Sequence, residues 1–167
     1  MKSLYESILD DEDTLISNSI KDSQDPLNIL ASVCKDKKNE DKILKKFEKG
    51  LFDDFLRDVI SIDINDIKGL GVTWSVVDYG NFVSISLITR QSSSIFTLRC
   101  FRVKNKIEVE ILRPGKSSGS AFKILQSTNY FDKYESTLIN LNELGFEKSA
   151  NFTNLGNFRM ITYEKKL

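Results

Sequence analysis

The feature that most constrains this chain is a change of hydrophobic period at Gly71. Downstream of it, four segments alternate apolar and polar residues, each parted from the next by a short turn sequence. Val72–Val77 is the first predicted strand, and Asp78-Tyr79-Gly80-Asn81 is the turn that follows it. Phe82–Thr89 sets Val83, Ile85 and Leu87 against Ser84 and Ser86. After the polar turn Gln91–Ser94, Ile95–Val103 sets Phe96, Leu98 and Cys100 opposite Thr97, Arg99 and Phe101. Lys104-Asn105 is a tight turn, and Lys106–Leu112 then sets Ile107, Val109 and Ile111 against Glu108 and Glu110. A period of two sends successive side chains to opposite faces of a sheet. Parallel neighbours need a crossover of a dozen or more residues, so short turns imply an antiparallel meander.

Upstream the period is helical. Asp25-Pro26 supplies an N-cap and a first-turn proline, with Leu27, Leu30 and Val33 or Cys34 on one face. Residues 40–60 read as one helical region with a possible break at Gly50. Ile43, Leu44, Phe47, Leu51, Phe52, Phe55, Leu56, Val59 and Ile60 form its stripe. Beyond the meander, Arg113–Ser120 is a loop rich in helix breakers, and a short helix is predicted over Ala121–Gln126. A longer helix, capped by Thr128 or Asn129, runs to Asn142–Leu144 with Phe131, Tyr134, Leu138 and Leu141 inside. Gly145 sits where a left-handed C-cap belongs, and Phe146 can fold back on the last turn. Two short strands, about Phe146–Phe152 and Phe158–Glu164, close the chain as a hairpin. Helices segregated from antiparallel strands make an α+β fold, with at least four strands and the helices on one face. Residues 1–25 form an N-terminal helix and acidic tether, and 26–167 one domain.

Composition narrows the chemistry. The chain has no histidine, so imidazole bases and Ser-His-Asp or Cys-His arrangements are excluded. Its two cysteines, Cys34 and Cys100, are distant in sequence and lack a CxxC partner. The expectation is reduced, partly buried thiols in a cytoplasmic setting, with no metal and no cofactor. No stretch is apolar enough to span a membrane, and the N-terminus does not read as a secretory signal. The formal net charge is zero but unevenly spread. An acidic arm over 1–25 precedes a basic hairpin region carrying Arg99, Arg102, Lys104, Lys106 and Arg113.

Several motifs resemble sites and fall short of them. Pro114-Gly115-Lys116-Ser117 follows a strand as a phosphate loop does, but Glu110 stands where the first glycine of that loop belongs. Asp63-Ile64-Asn65-Asp66-Ile67-Lys68-Gly69 has a misplaced glycine for a calcium loop and reads as a capped connector. Asp53, Asp54 and Asp58 could serve an enzyme without histidine, such as a nuclease or toxin, or lie on a solvated helix face. Arg99 and Phe101 alternate on one strand face, with Lys104, Lys106 and Arg113 close by in sequence. That pattern suits a nucleic-acid surface, while Glu108 and Glu110 on the next strand suit cross-strand ion pairs instead. Trp74, with Phe96 and Phe101, reads as core.

The N-terminus carries the last signal. Leu4, Tyr5, Ile8 and Leu9 make one apolar stripe on a predicted helix over residues 2–9. A helix this short needs a surface to dock on. Met1-Lys2-Ser3-Leu4-Tyr5-Glu6-Ser7-Ile8-Leu9, followed by Asp10-Asp11-Glu12-Asp13, resembles the start of uncharacterised gut tailed-phage proteins, crAss-like ones included. It is also similar to the capsid-targeting leaders of phage internal head proteins. Such a likeness implies a non-enzymatic structural or assembly-associated protein that docks on a protein partner, or on itself, through Leu4, Tyr5, Ile8 and Leu9. The alternative expectations are a nucleic-acid-binding module and the enzyme without histidine.

Overall fold

The computed structural model describes residues 25–35, 39–149 and 160–167. The helix expected over 2–9, with Leu4, Tyr5, Ile8 and Leu9, lies outside the described residues, as does the acidic tether up to residue 24. What is described is an α+β fold built on one six-stranded antiparallel sheet of order β1-β2-β3-β4-β6-β5. The strands are β1 (Thr73–Asp78), β2 (Phe82–Ile88), β3 (Ser94–Phe101), β4 (Lys106–Leu112), β5 (Glu147–Lys148) and β6 (Met160–Lys166). The first four form the expected meander.

Register assigns each side chain to a face. Val83, Cys100, Ile107 and Lys165 form one cross-strand row, and Ile85, Leu98, Val109 and Tyr163 the next. Leu87, Phe96, Ile111 and Ile161 form a third. Apart from Lys165, these rows are the sheet's contribution to the core, and the alternation that predicts them is the strand period itself.

Helix α1 (Asp25–Cys34) buries Leu27, Leu30 and Cys34 against this face. Helix α2 (Glu40–Glu48) buries Ile43 and Phe47, and Phe47 meets Trp74 edge-on with ring centroids 4.8 Å apart. The anticipated break falls at Gly50, which takes φ 96° between α2 and helix α3 (Asp53–Phe55). From α3 the chain widens into a π-helical turn, Leu56–Ile60, ending on Ser61 in the left-handed region at φ 66°. Phe52 stacks on Phe55 at 4.4 Å and reaches Phe96 of the sheet. A short helix α4 (Ile64–Ile67) is capped by Asp63, whose carboxylate accepts from the Asn65 N–H at 2.9 Å. The Asp63–Gly69 segment is thus the capped connector that its sequence suggests.

After the meander come helices α5 (Ser120–Gln126) and α6 (Tyr134–Glu143). The long helix starts later than its sequence suggests. Thr128 accepts from the Tyr130 N–H, and a single 3₁₀ turn, Phe131–Lys133, intervenes. Tyr130 is fully buried and donates its hydroxyl to the Leu112 carbonyl at 2.6 Å. Burial drives its phenol pKa far above the ordinary value. Helix α6 ends in a Schellman motif: Phe146 N–H bonds the Leu141 carbonyl and Gly145 N–H that of Asn142, with Gly145 at φ 90°.

Two expectations need correction, while the closing hairpin stands as expected. The described part of the first closing strand, β5, is only two residues long. The second, β6, lies between β5 and β4, with Tyr163 opposite both Lys148 and Val109, so the hairpin extends the main sheet. Phe101 is not core: it pairs with Phe82 and Lys106 on the opposite face and is only half-buried.

Candidate functional site

The densest chemistry lies at the end of the sheet where the β1–β2 turn, the β3–β4 turn and the C-terminus of α1 converge. Arg102 organises it. Its Nη1 and Nη2 donate to the two carboxylate oxygens of Asp78 at 2.7 and 2.8 Å. Nη1 also donates to the Gly80 carbonyl at 2.7 Å, and Nε to the Cys34 carbonyl at 2.6 Å. One guanidinium therefore joins a strand end, a turn and the last residue of a helix. The Arg102 and Asp78 side chains are each only 11% exposed. A planar five-donor fork can satisfy a carboxylate and two carbonyls together, whereas an ammonium cannot.

Beside this ion pair stand Cys34 and Cys100, both free and buried. Each thiol is the strongest influence on the other's ionisation. The Cys100 S–H, helped by the Arg102 charge, pulls the Cys34 pKa below its ordinary value. Cys34 in turn, together with burial, pushes the Cys100 pKa well up. A cavity of about 30 Å³ adjoins both thiols, with Ala31, Lys35, Asn105 and Leu167 among its walls. Sequence reasoning treats the two cysteines as unrelated, and nothing in their spacing signals the pairing. The fold makes it: Cys34 ends α1, and Cys100 points from β3 toward the helices, in the Val83–Ile107 row.

The predicted basic residues do not share one surface. Arg102 serves the helix-side pair just described. Arg99 and Lys106 lie on the other sheet face. There Arg99 is bound by Glu108 and Glu110, and Lys106 by Glu108 and Glu164. Both cations are the cross-strand partners that the alternation of Glu108 and Glu110 suggests. Lys106 Nζ also sits 4.9 Å from the Phe101 ring centre. Lys104 is exposed in the β3–β4 turn, and Arg113 lies beyond the far end of β4, where its charge acts on Tyr134. Along the sheet rows of that face, Arg99, Lys106 and Lys166 are matched by Glu108, Glu110, Glu147 and Glu164.

The same face carries an aromatic ladder. Tyr79 stacks on Phe82, and Phe82 on Phe101, each pair 5.0 Å apart. Tyr79 is 62% exposed, and Val77 and Val103 are exposed as well.

The carboxylates near α3 form no such convergence. Asp54 and Asp58 each pair with Arg57 at 3.0 Å, and the guanidinium and the Asp54 carboxylate are largely exposed. Partial burial together with Asp54 raises the Asp53 pKa. Among the described residues no group of three or more cysteines and carboxylates is placed to hold a metal ion. No described helix is long and apolar enough to cross a membrane. Comparison with protein families, with curated proteins and with solved structures finds no match for this chain.

Proposed function

We propose that this chain is a non-enzymatic interaction protein, virion- or assembly-associated in a tailed phage, which docks on a protein partner through Leu4, Tyr5, Ile8 and Leu9. The observation that carries the reading is an apolar helical stripe set on an acidic tether ahead of the α+β fold. The domain's own chemistry is in keeping with it. Arg99, Arg102 and Lys106 are each engaged by carboxylates of the same chain. The exposed Val77, Tyr79 and Val103 at the sheet end offer apolar area suited to a protein surface. The phage setting rests on the leader resemblance alone.

Native mass spectrometry tests it, on full-length protein and on a variant carrying Leu4→Asp and Ile8→Asp. Expected is an assembly, with itself or with a co-purifying protein, that the charged variant loses while keeping the same thermal unfolding transition. Assembly that survives both substitutions would overturn the docking role.

A nucleic-acid module remains the second reading, favoured by the Tyr79–Phe82–Phe101 ladder, since base stacking on aromatics tolerates any sequence. The four carboxylates on that face oppose a phosphate backbone. This reading requires binding to a single-stranded oligonucleotide that weakens steeply with salt.

A further inference from the structure

We propose that Cys34 and Cys100 form an oxidisable dithiol, in which a hydroperoxide entering the adjacent cavity converts Cys34 to a sulfenic acid and Cys100 closes it to an intramolecular disulfide. Three observations converge on it. Cys34 ends helix α1 and Cys100 lies on β3, against which α1 packs, so the two thiols come from elements already in contact. They share a cavity of about 30 Å³. A single water needs roughly 10–15 Å³ measured this way, so a molecule the size of hydrogen peroxide fits. Lys35 and Asn105, both exposed, stand among its walls, so small solutes reach it without unfolding.

Charge supports the same order of events. The Arg102 guanidinium is anchored on the Cys34 carbonyl, and its charge favours the thiolate at Cys34. Asp78 opposes this in part, and Lys106, a further wall of the cavity, is held by Glu108 and Glu164. The Cys100 thiol keeps its proton and waits as the resolving group.

The chemistry balances. The Cys34 thiolate attacks one peroxide oxygen, the O–O bond breaks, and the departing oxygen takes up a proton as water or, from an organic hydroperoxide, as an alcohol. The Cys100 sulfur then attacks Cys34 Sγ and loses its proton. The S–O bond breaks and the hydroxyl leaves as water. Two thiols lose two electrons and two protons, and the peroxide is reduced. A disulfide formed this way in a reducing compartment is transient, which suits sensing better than structure.

The test uses full-length folded protein treated with hydrogen peroxide, alkylated, denatured and weighed. Expected is a mass lower by two hydrogens, no alkylatable thiol, a cross-linked peptide pair holding Cys34 and Cys100, and reversal by dithiothreitol. In Cys100→Ser the reaction should stop at a sulfenic acid on Cys34 that dimedone traps, and in Cys34→Ser that adduct should be lost. Thiols that stay unmodified until urea is added would overturn the proposal, as would cross-links only between chains. Because the wild-type protein alone decides between these outcomes, the result does not depend on the variants folding.

Discussion

Individual residues carry the strongest commitments here, and Arg102 the largest. Its partner Asp78 is as buried as it is, so removing the cation takes a bidentate counter-charge from a carboxylate with little access to water. Breaking such a pair costs about 3–5 kcal/mol. Arg102→Leu should lower the urea midpoint by an amount of that order, and Arg102→Lys should recover only part. The double variant with Asp78→Leu should lose less than the two single losses combined, since both single changes remove the same interaction. Asp53 gives a prediction of opposite sign. Its carboxyl is raised by burial and by Asp54, so the folded state holds that proton more tightly than the unfolded chain. The group's contribution is fully present below the unfolded pKa and is lost as pH rises through the folded one. Asp53→Asn should therefore raise the melting temperature slightly at pH 7 and leave it unchanged near pH 3, as differential scanning fluorimetry across that range would show. Neither role is visible in sequence. Asp78 reads there as a turn residue, and Arg102 as one cation among many.

At the scale of elements, local rules and long-range ties separate cleanly. The meander was legible because its alternation, its turns and its register all follow from a period of two, and Glu108 against Arg99 follows from that register. The Schellman ending of α6 was legible from Gly145-Phe146 alone. A non-glycine residue in the left-handed region costs about 1–2 kcal/mol. A Cβ on Gly145 would meet Lys165 Cε at 3.5 Å, ordinary contact, so backbone strain is the whole effect. Gly145→Ala should lose about that much in chemical denaturation, and Gly145→Asn less, since Asn tolerates this conformation. The π-helical turn was not legible, because its carbonyls are satisfied from far along the chain. Thr137, fully buried, donates to the Ile60 carbonyl at 3.1 Å, and Asn140 donates to those of Asp58 and Val59. In sequence Thr137 is merely a polar residue on a predicted helix. Thr137→Val keeps its shape and removes the donor, leaving a buried carbonyl short of a partner. A loss of about 1–3 kcal/mol is expected, read from the same denaturation curves.

For the whole molecule, the decisive link is β6. It pairs with β4 along its whole length and supplies Ile161 and Tyr163 to the core rows, so the sheet is complete only once the C-terminus has arrived. No periodicity could place this strand. A period of two shows which side chains share a face, not which neighbour a strand chooses, and that choice rests on the rows it completes. Cys34 and Cys100 were opaque for the same reason: their meeting belongs to the packing of α1 on β3. The two ends of the chain should accordingly behave in opposite ways. Removing residues 1–24 leaves every described core residue in the chain, and the remainder should keep a cooperative urea transition at an unchanged midpoint. Ending the chain at Ser149 strips Met160, Ile161 and Tyr163 from the core, exposes Val109 and Ile111, and leaves the β4 edge unpaired. Exposing core side chains of this size costs several kcal/mol, comparable with the roughly 5–15 kcal/mol that holds a domain of this kind together. That shortened chain should show no cooperative transition by circular dichroism and should aggregate through its open edge. A sharp transition in it would mean that the core closes on the four-stranded meander and its helices alone, with β6 added to a sheet already stable.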